Sequence, residues 1–216
     1  MSAGVVELPT LVVPHSAIEP LRSAFALSGA AVLGPAALTP TWHHALTEEA
    51  REQGAINGWR LTGRRSAGEI AQDNRRGFLG PHARSFMAAS PTTELLRHVT
   101  GHALVPSWSA SCYTYYEEPG HFLGEHCDKA EACRVAVLVY LDARWNIDEG
   151  PGPGLMLHVF AGDSSDTPLS LRITSLTNRI VILNGASHAH LRPALALGES
   201  LTMLAACYTK ADHAVG

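Results

Sequence analysis

His126 and Asp128 stand one residue apart in the stretch 111–142, SCYTYYEEPGHFLGEHCDKAEACRVAVLVYLD. In an extended strand, or at its mouth, that spacing sends an imidazole and a carboxylate off the same face. Two such groups aimed at one point make two corners of a metal site. The third corner must come from far along the chain, brought back by a sheet that folds on itself. The segment NRIVILNGASHAHLRP has the right build: an apolar strand over 179–183 runs into a turn and then His188, with His190 two residues further on. Two imidazoles and one carboxylate on one face of Fe(II) leave positions open for a bidentate co-substrate and O2. Oxygen-activating chemistry needs that arrangement.

The flanks of these residues carry a resemblance. YYEEPGHFLGEHCD followed by RVAVLVYLD resembles the core of the non-haem Fe(II)/2-oxoglutarate dioxygenases, in particular their prolyl-hydroxylase-like and phytanoyl-hydroxylase-like branches. NRIVILNGASHAHLRPALALGES resembles their second half, in which an apolar strand delivers the distal histidine and a proline follows. The likeness spans residues 109–208, about half of the chain. It implies a jelly-roll fold and a metal held by His126, Asp128 and His188, the histidine directly after the turn. His190 is then left for a supporting or substrate-facing role. Pro193 departs from the family spacing, falling five residues after His188 and three after His190.

The resemblance also implies a pocket for 2-oxoglutarate, in which a cation about ten residues past the distal histidine holds the far carboxylate. Here that window reads GESLT and holds no cation. Arg192 is the nearest replacement, since a guanidinium matches a carboxylate with two parallel hydrogen bonds; Arg134 is the other. Ser200, Tyr116 and Tyr140 occupy positions whose hydroxyls would complete the pocket. The implied reaction is hydroxylation of an unactivated C–H bond with Fe(II), 2-oxoglutarate and O2, and ascorbate as a reductant. A carboxylate at Asp128 takes the position a halide would need, which disfavours halogenation. The expected substrate is a small molecule such as an amino acid or a natural-product intermediate, with a protein prolyl side chain as the alternative. Two other readings compete: a cupin-like metal enzyme that does not use 2-oxoglutarate, and a metal-free ligand-binding jelly roll.

The elements that must position these groups fall into two halves. The 216 residues suit one domain, in which 1–102 supply helical support and a possible lid and 103–210 a jelly-roll core. Before residue 103, helical spacing with a Ser16–Glu19 capping box, then a Thr39–Pro40 start closed by Gly54, then a Ser90–Pro91 start closed by Gly101, predict three helices, with a short strand at GAAVLG. The stretch 58–90 is rich in glycine and arginine and reads as a long loop with one short helix, or as a lid in which Arg75 or Arg76 holds an acidic group of the substrate. After residue 103, nine short strand-like runs separated by turn residues indicate a sandwich or barrel, mainly β with the helices bracing one sheet.

Composition excludes other classes. A net charge of −4 argues against a phosphate-backbone partner. No apolar run approaches the roughly 18 residues of a membrane span. The N-terminal MSAGVVELPT lacks a secretion signal, so a cytoplasmic location is expected. The four cysteines have no CxxC spacing and are expected as reduced thiols, Cys112 and Cys207 as small core residues on strands. The other histidines, His43, His82 and His213 among them, read as surface or hydrogen-bonded residues.

Overall fold

The computed structural model describes residues 11–63 and 70–211, so the leader reading at 1–10, the middle of the arginine-rich stretch and His213 lie outside the described residues. Four helices form: α1 (Ile18–Ser28), α2 (Pro40–Asn57), α3 (Pro81–Ala88) and α4 (Ser90–Thr100). Twelve strands follow or interleave: β1 (Ala30–Leu33), β2 (Trp59–Gly63), β3 (Gln72–Gly77), β4 (Leu104–Pro106), β5 (Cys112–Tyr116), β6 (Phe122–His126), β7 (Val135–Arg144), β8 (Met156–Phe160), β9 (Leu169–Thr174), β10 (Arg179–Leu183), β11 (His190–Arg192) and β12 (Ser200–Lys210). Every strand pair is antiparallel, in the order β1-β10-β7-β12-β5-β3-β6-β11-β8-β9, with β2 on β3 and β4 on β12. The sheet curls into a nearly closed barrel, the jelly roll expected from the strand pattern.

Strand alternation divides the residues between two cores. On β7, Val135, Val137, Val139 and Leu141 face the helices, and Ala136, Leu138 and Tyr140 face the barrel interior. On β12, Leu204, Ala206 and Tyr208 pack outward while Leu201, Met203 and Cys207 point in. The outward layer receives Leu46, Phe86 and Leu96, each fully buried, and each such side chain contributes on the order of 2 kcal/mol. Inside the barrel, polar and aromatic residues replace part of the aliphatic core, which is where the site lies.

Several local expectations change. Ser16 does not cap α1; a short 3-10 turn, His15–Ala17, precedes it, and Ala17 holds the N-cap without a side-chain bond. Thr39 does cap α2, accepting from Trp42 N, but Gly54 lies inside that helix, where the Tyr115 ring packs tightly against it. Ser90 belongs to α4 itself, and Gly101 ends that helix at φ 74, in the left-handed region that suits glycine. The stretch 58–90 is not a long loop: β2 and β3 form a hairpin, and β3 lies between β5 and β6 in the sheet. With β1 on β10, three strands from the first 102 residues join the barrel.

Cys133 and Cys207 form a disulfide with a Cα–Cα distance of 4.8 Å, which corrects the expectation of reduced thiols for that pair; Cys112 and Cys127 are free. The pairing of β7 with β12 makes the bridge possible: Val135 lies opposite Tyr208 and Arg134 N donates to Tyr208 O, which brings the segment just before β7, with Cys133, to the part of β12 that holds Cys207. No helix among the described residues is long and apolar enough to cross a membrane.

Candidate metal centre and its pocket

His126 at the end of β6 is the direct cross-strand partner of His190 at the start of β11, so their side chains share the inner face and their rings lie 4.2 Å apart, centroid to centroid. Asp128, two residues past His126, is pinned by its own N–H to Gly185 O at 2.8 Å, and its Oδ1 lies 3.5 Å from His126 Nε2. Potential ligand atoms of His126, Asp128 and His190 all lie within 4.8 Å of one another. Both imidazoles are locked in one tautomer: His126 Nδ1–H donates to Gly124 O at 2.9 Å and His190 Nδ1–H to His188 O at 3.1 Å. Each Nε2 therefore keeps a lone pair for a metal, and the backbone carbonyls behind them fix ring orientation. Gly185 is required by the approach, because a Cβ there would collide with the Asp128 carboxylate.

Burial pushes the His190 pKa down to about 4, with the His126 ring adding to the effect and Asp128 opposing it. Burial works to raise the Asp128 pKa, but the neighbouring His126, His190 and Arg76 outweigh it and hold the carboxyl below its usual value. Neutral imidazole beside ionised carboxylate is the state a divalent cation binds.

His188 is not part of this cluster. It sits in the turn before β11, and its ring packs against Gly29, where only a glycine leaves room. The NGAS turn continues through Ala189, and β11 starts at His190. The distal corner is therefore His190, and His188 contributes its backbone carbonyl.

A cavity of about 450 Å³ opens around the three side chains. Its inner end holds Arg192, which is buried and shares the inner face of β11 with His190. Its guanidinium donates to Gly154 O at 3.2 Å, Ser175 Oγ at 2.9 Å and Tyr140 Oη at 3.3 Å, and lies 5.3 Å from the Tyr116 ring centroid. Tyr116 lines the cavity, and its buried Oη has no hydrogen-bond partner. Tyr140 stands behind Arg192 and orients it. Burial raises the Tyr116 pKa while Arg76 and Arg192 on either side pull it back, so it stays a phenol able to donate. Two of the expected pocket residues lie elsewhere. Ser200 faces outward on β12, in a separate surface cavity with Thr47 and Arg51, because it alternates with the inward Leu201. Arg134 is outside the cavity wall, at the β4 end of the sheet with His102 and Lys210.

Hairpin parity separates the two candidate arginines of β3. Arg75 points out of the barrel, to Glu117 at 2.7 Å and Gly54 O at 2.8 Å. Arg76 points in and lines the cavity. Gln72 also lines it, with Trp59, Phe78 and Trp108; Trp59, Gln72 and Phe78 were missed because β2 and β3 lack an apolar alternation.

No family model matches the sequence, and no curated protein matches it. Solved structures do match the fold. A prolyl-4-hydroxylase from Pseudomonas putida is 18% identical over 89% of this chain and 98% of its own, at a TM-score of 0.63. The epimerase SnoN from nogalamycin biosynthesis, solved with Fe3+, alpha ketoglutarate and nogalamycin RO, is 14% identical over 92% of this chain and 85% of its own, at 0.68. A prolyl hydroxylase from Trichoplax adhaerens, in complex with a hypoxia inducible factor peptide fragment, is 12% identical over 94% and 96%, at 0.64. The chain thus has the fold of 2-oxoglutarate/Fe(II) oxygenases.

Proposed function

We propose that this chain is an Fe(II)/2-oxoglutarate-dependent dioxygenase that hydroxylates a C–H bond of a small molecule. One observation carries the reading: two imidazole Nε2 atoms and a carboxylate converge in a cavity whose inner end presents a buried guanidinium and an unpartnered phenol. The donor set fits a ferrous ion. The unpartnered Tyr116 Oη and the guanidinium of Arg192 fit the far carboxylate of a dicarboxylic co-substrate. The ligands found in the SnoN structure support the same pairing of metal and co-substrate.

His126, Asp128 and His190 would hold the metal, which with 2-oxoglutarate and O2 supplies the oxidising power for C–H cleavage. The protein positions and excludes water. Gly124 O and His188 O keep both imidazoles turned to the metal, and Gly185 fixes the carboxylate. Tyr140, Ser175 and Gly154 O hold the Arg192 fork in place before co-substrate arrives. Leu138, Leu157, Leu183 and Met203 form an apolar wall that limits water access.

The test is metal analysis of protein purified without chelators, together with succinate release on adding iron, ascorbate and 2-oxoglutarate. The expected result is one iron per chain and succinate formation in the wild type, with both lost in His126→Ala. Equal iron content in the two proteins would discard the metal site, and iron binding without succinate would favour an oxygenase that does not use 2-oxoglutarate.

A further inference from the structure

Resting on that reading, we propose that the substrate is a small anionic ring compound, its acidic group docked on Arg76 and its ring against an aromatic rim of Trp59, Phe78 and Trp108.

Two guanidinia, Arg192 and Arg76, line the interior of the cavity, with the exposed Arg84 at its entrance, and only one is needed for the co-substrate. Arg192 is built into the inner end beside Tyr116. Arg76 comes from the opposite wall, held by four neutral acceptors: Asn74 Oδ1 at 2.7 Å, Thr114 Oγ1 at 2.9 Å, Cys112 Sγ at 3.1 Å and Gln72 Oε1 at 3.2 Å. Those contacts use Nε and both Nη1 hydrogens but only one hydrogen of Nη2, so a donor remains for a ligand. Among the described residues neither arginine has a carboxylate within 4.0 Å. The charges of the loaded site do not balance without another anion. A ferrous ion and a co-substrate dianion cancel, Asp128 matches one guanidinium, and the second is left over. A half-buried guanidinium that has no counter-ion when substrate covers it is costly, and a monoanionic substrate removes that cost.

The rim indicates the rest of the molecule. Trp59 is the direct cross-strand partner of Arg76, so the indole and the guanidinium share the inner face of the hairpin. Phe78 stacks on Trp59 at 4.7 Å between centroids, and Trp108 stands at the same opening with Arg84 at 5.5 Å from its ring. These aromatics remain 37%, 59% and 41% exposed for Trp59, Phe78 and Trp108, which is unusual for large apolar side chains gathered at one opening. Arg84 has no ion-pair partner among the described residues and adds positive potential at the entrance. A cavity of about 450 Å³ that must also hold 2-oxoglutarate leaves room for a small ring system.

The test pairs acids with their amides: benzoate, indole-3-acetate and 2-naphthoate against benzamide, indole-3-acetamide and 2-naphthamide. Binding is read by quenching of tryptophan fluorescence, in metal-free protein and in protein loaded with Ni(II) and 2-oxoglutarate. A charge-assisted hydrogen bond predicts that the wild type prefers the acid of at least one pair by about ten- to a hundredfold. Arg76→Gln abolishes the preference and Arg76→Lys keeps part of it. Trp108→Ala weakens acid and amide alike. In Arg76→Gln, 2-oxoglutarate affinity, read from the visible charge-transfer band of the anaerobic Fe(II) complex, stays at the wild-type value. Equal affinity for acid and amide in every pair overturns the proposal, as does a preference that survives Arg76→Gln. Loss of 2-oxoglutarate binding in that variant would make Arg76 the co-substrate anchor instead. If neither metal nor 2-oxoglutarate binds the wild type, the function above fails, while acid preference in metal-free protein still reports on Arg76 alone.

Discussion

Arg192→Gln separates a co-substrate anchor from a structural arginine. In the described structure Arg192 is a buried cation with three neutral hydrogen-bond acceptors and no carboxylate partner, so its present contacts offset its desolvation poorly. Glutamine keeps a donor for Gly154 O or Ser175 Oγ and removes the charge. Stability without co-substrate should therefore change by less than about 1.5 kcal/mol, the size of a single net hydrogen bond. Co-substrate affinity should behave differently. Two charge-assisted bonds from the guanidinium to a carboxylate, at about 1.5 kcal/mol each, sum to about 3 kcal/mol, or roughly a hundredfold in Kd. Anaerobic titration of the Fe(II) protein with 2-oxoglutarate gives the affinity, and urea unfolding gives the stability. Affinity kept near the wild-type value would refute the assignment, as would a large loss of stability with no loss of affinity.

Other outcomes follow from the same geometry. Gly185→Ala displaces the Asp128 carboxylate and should weaken metal binding about 10- to 100-fold, the usual range for damage to groups that orient ligands, as read by metal competition; unchanged affinity would show that the carboxylate is not a ligand. Cys133→Ser opens a bridge between residues 74 apart and should lower unfolding free energy by about 2–4 kcal/mol, with no effect if the thiols are reduced in the native protein. His190 is buried and neutral with a pKa near 4 against 6.5 in the unfolded chain, so the unfolded state takes up the extra proton between those values. Metal-free protein should therefore lose stability as pH falls through that window, by on the order of 3 kcal/mol. Urea unfolding across that range should show a smaller drop in His190→Gln, and an equal drop would contradict it.

The barrel was legible because most of its strands are short apolar runs between turn residues, and all nine runs after residue 103 became strands. The pair His126 and Asp128 was legible from its spacing together with the flanks that carry the resemblance, and the entry of Arg192 into the same cavity from its strand position. What spacing cannot supply is register. Whether His188 or His190 faces His126 depends on how many residues the NGAS turn consumes, and the pairing of His190 with His126 answers that only in three dimensions. Parity hid the same information for Ser200, which alternates outward beside Leu201, and for Arg75 against Arg76. The β2–β3 hairpin escaped because its inner face lines a polar cavity, so no apolar alternation marks it. The bridge between Cys133 and Cys207 joins residues whose neighbourhood exists only once β7 and β12 pair.

The central claim is that His126, Asp128 and His190 hold one ferrous ion, and the two neighbouring histidines provide the most direct check. Iron content and succinate release should both be lost in His190→Ala, and both should persist in His188→Ala, whose side chain packs on Gly29 rather than in the cavity. Loss of iron in His188→Ala with its retention in His190→Ala would contradict the account.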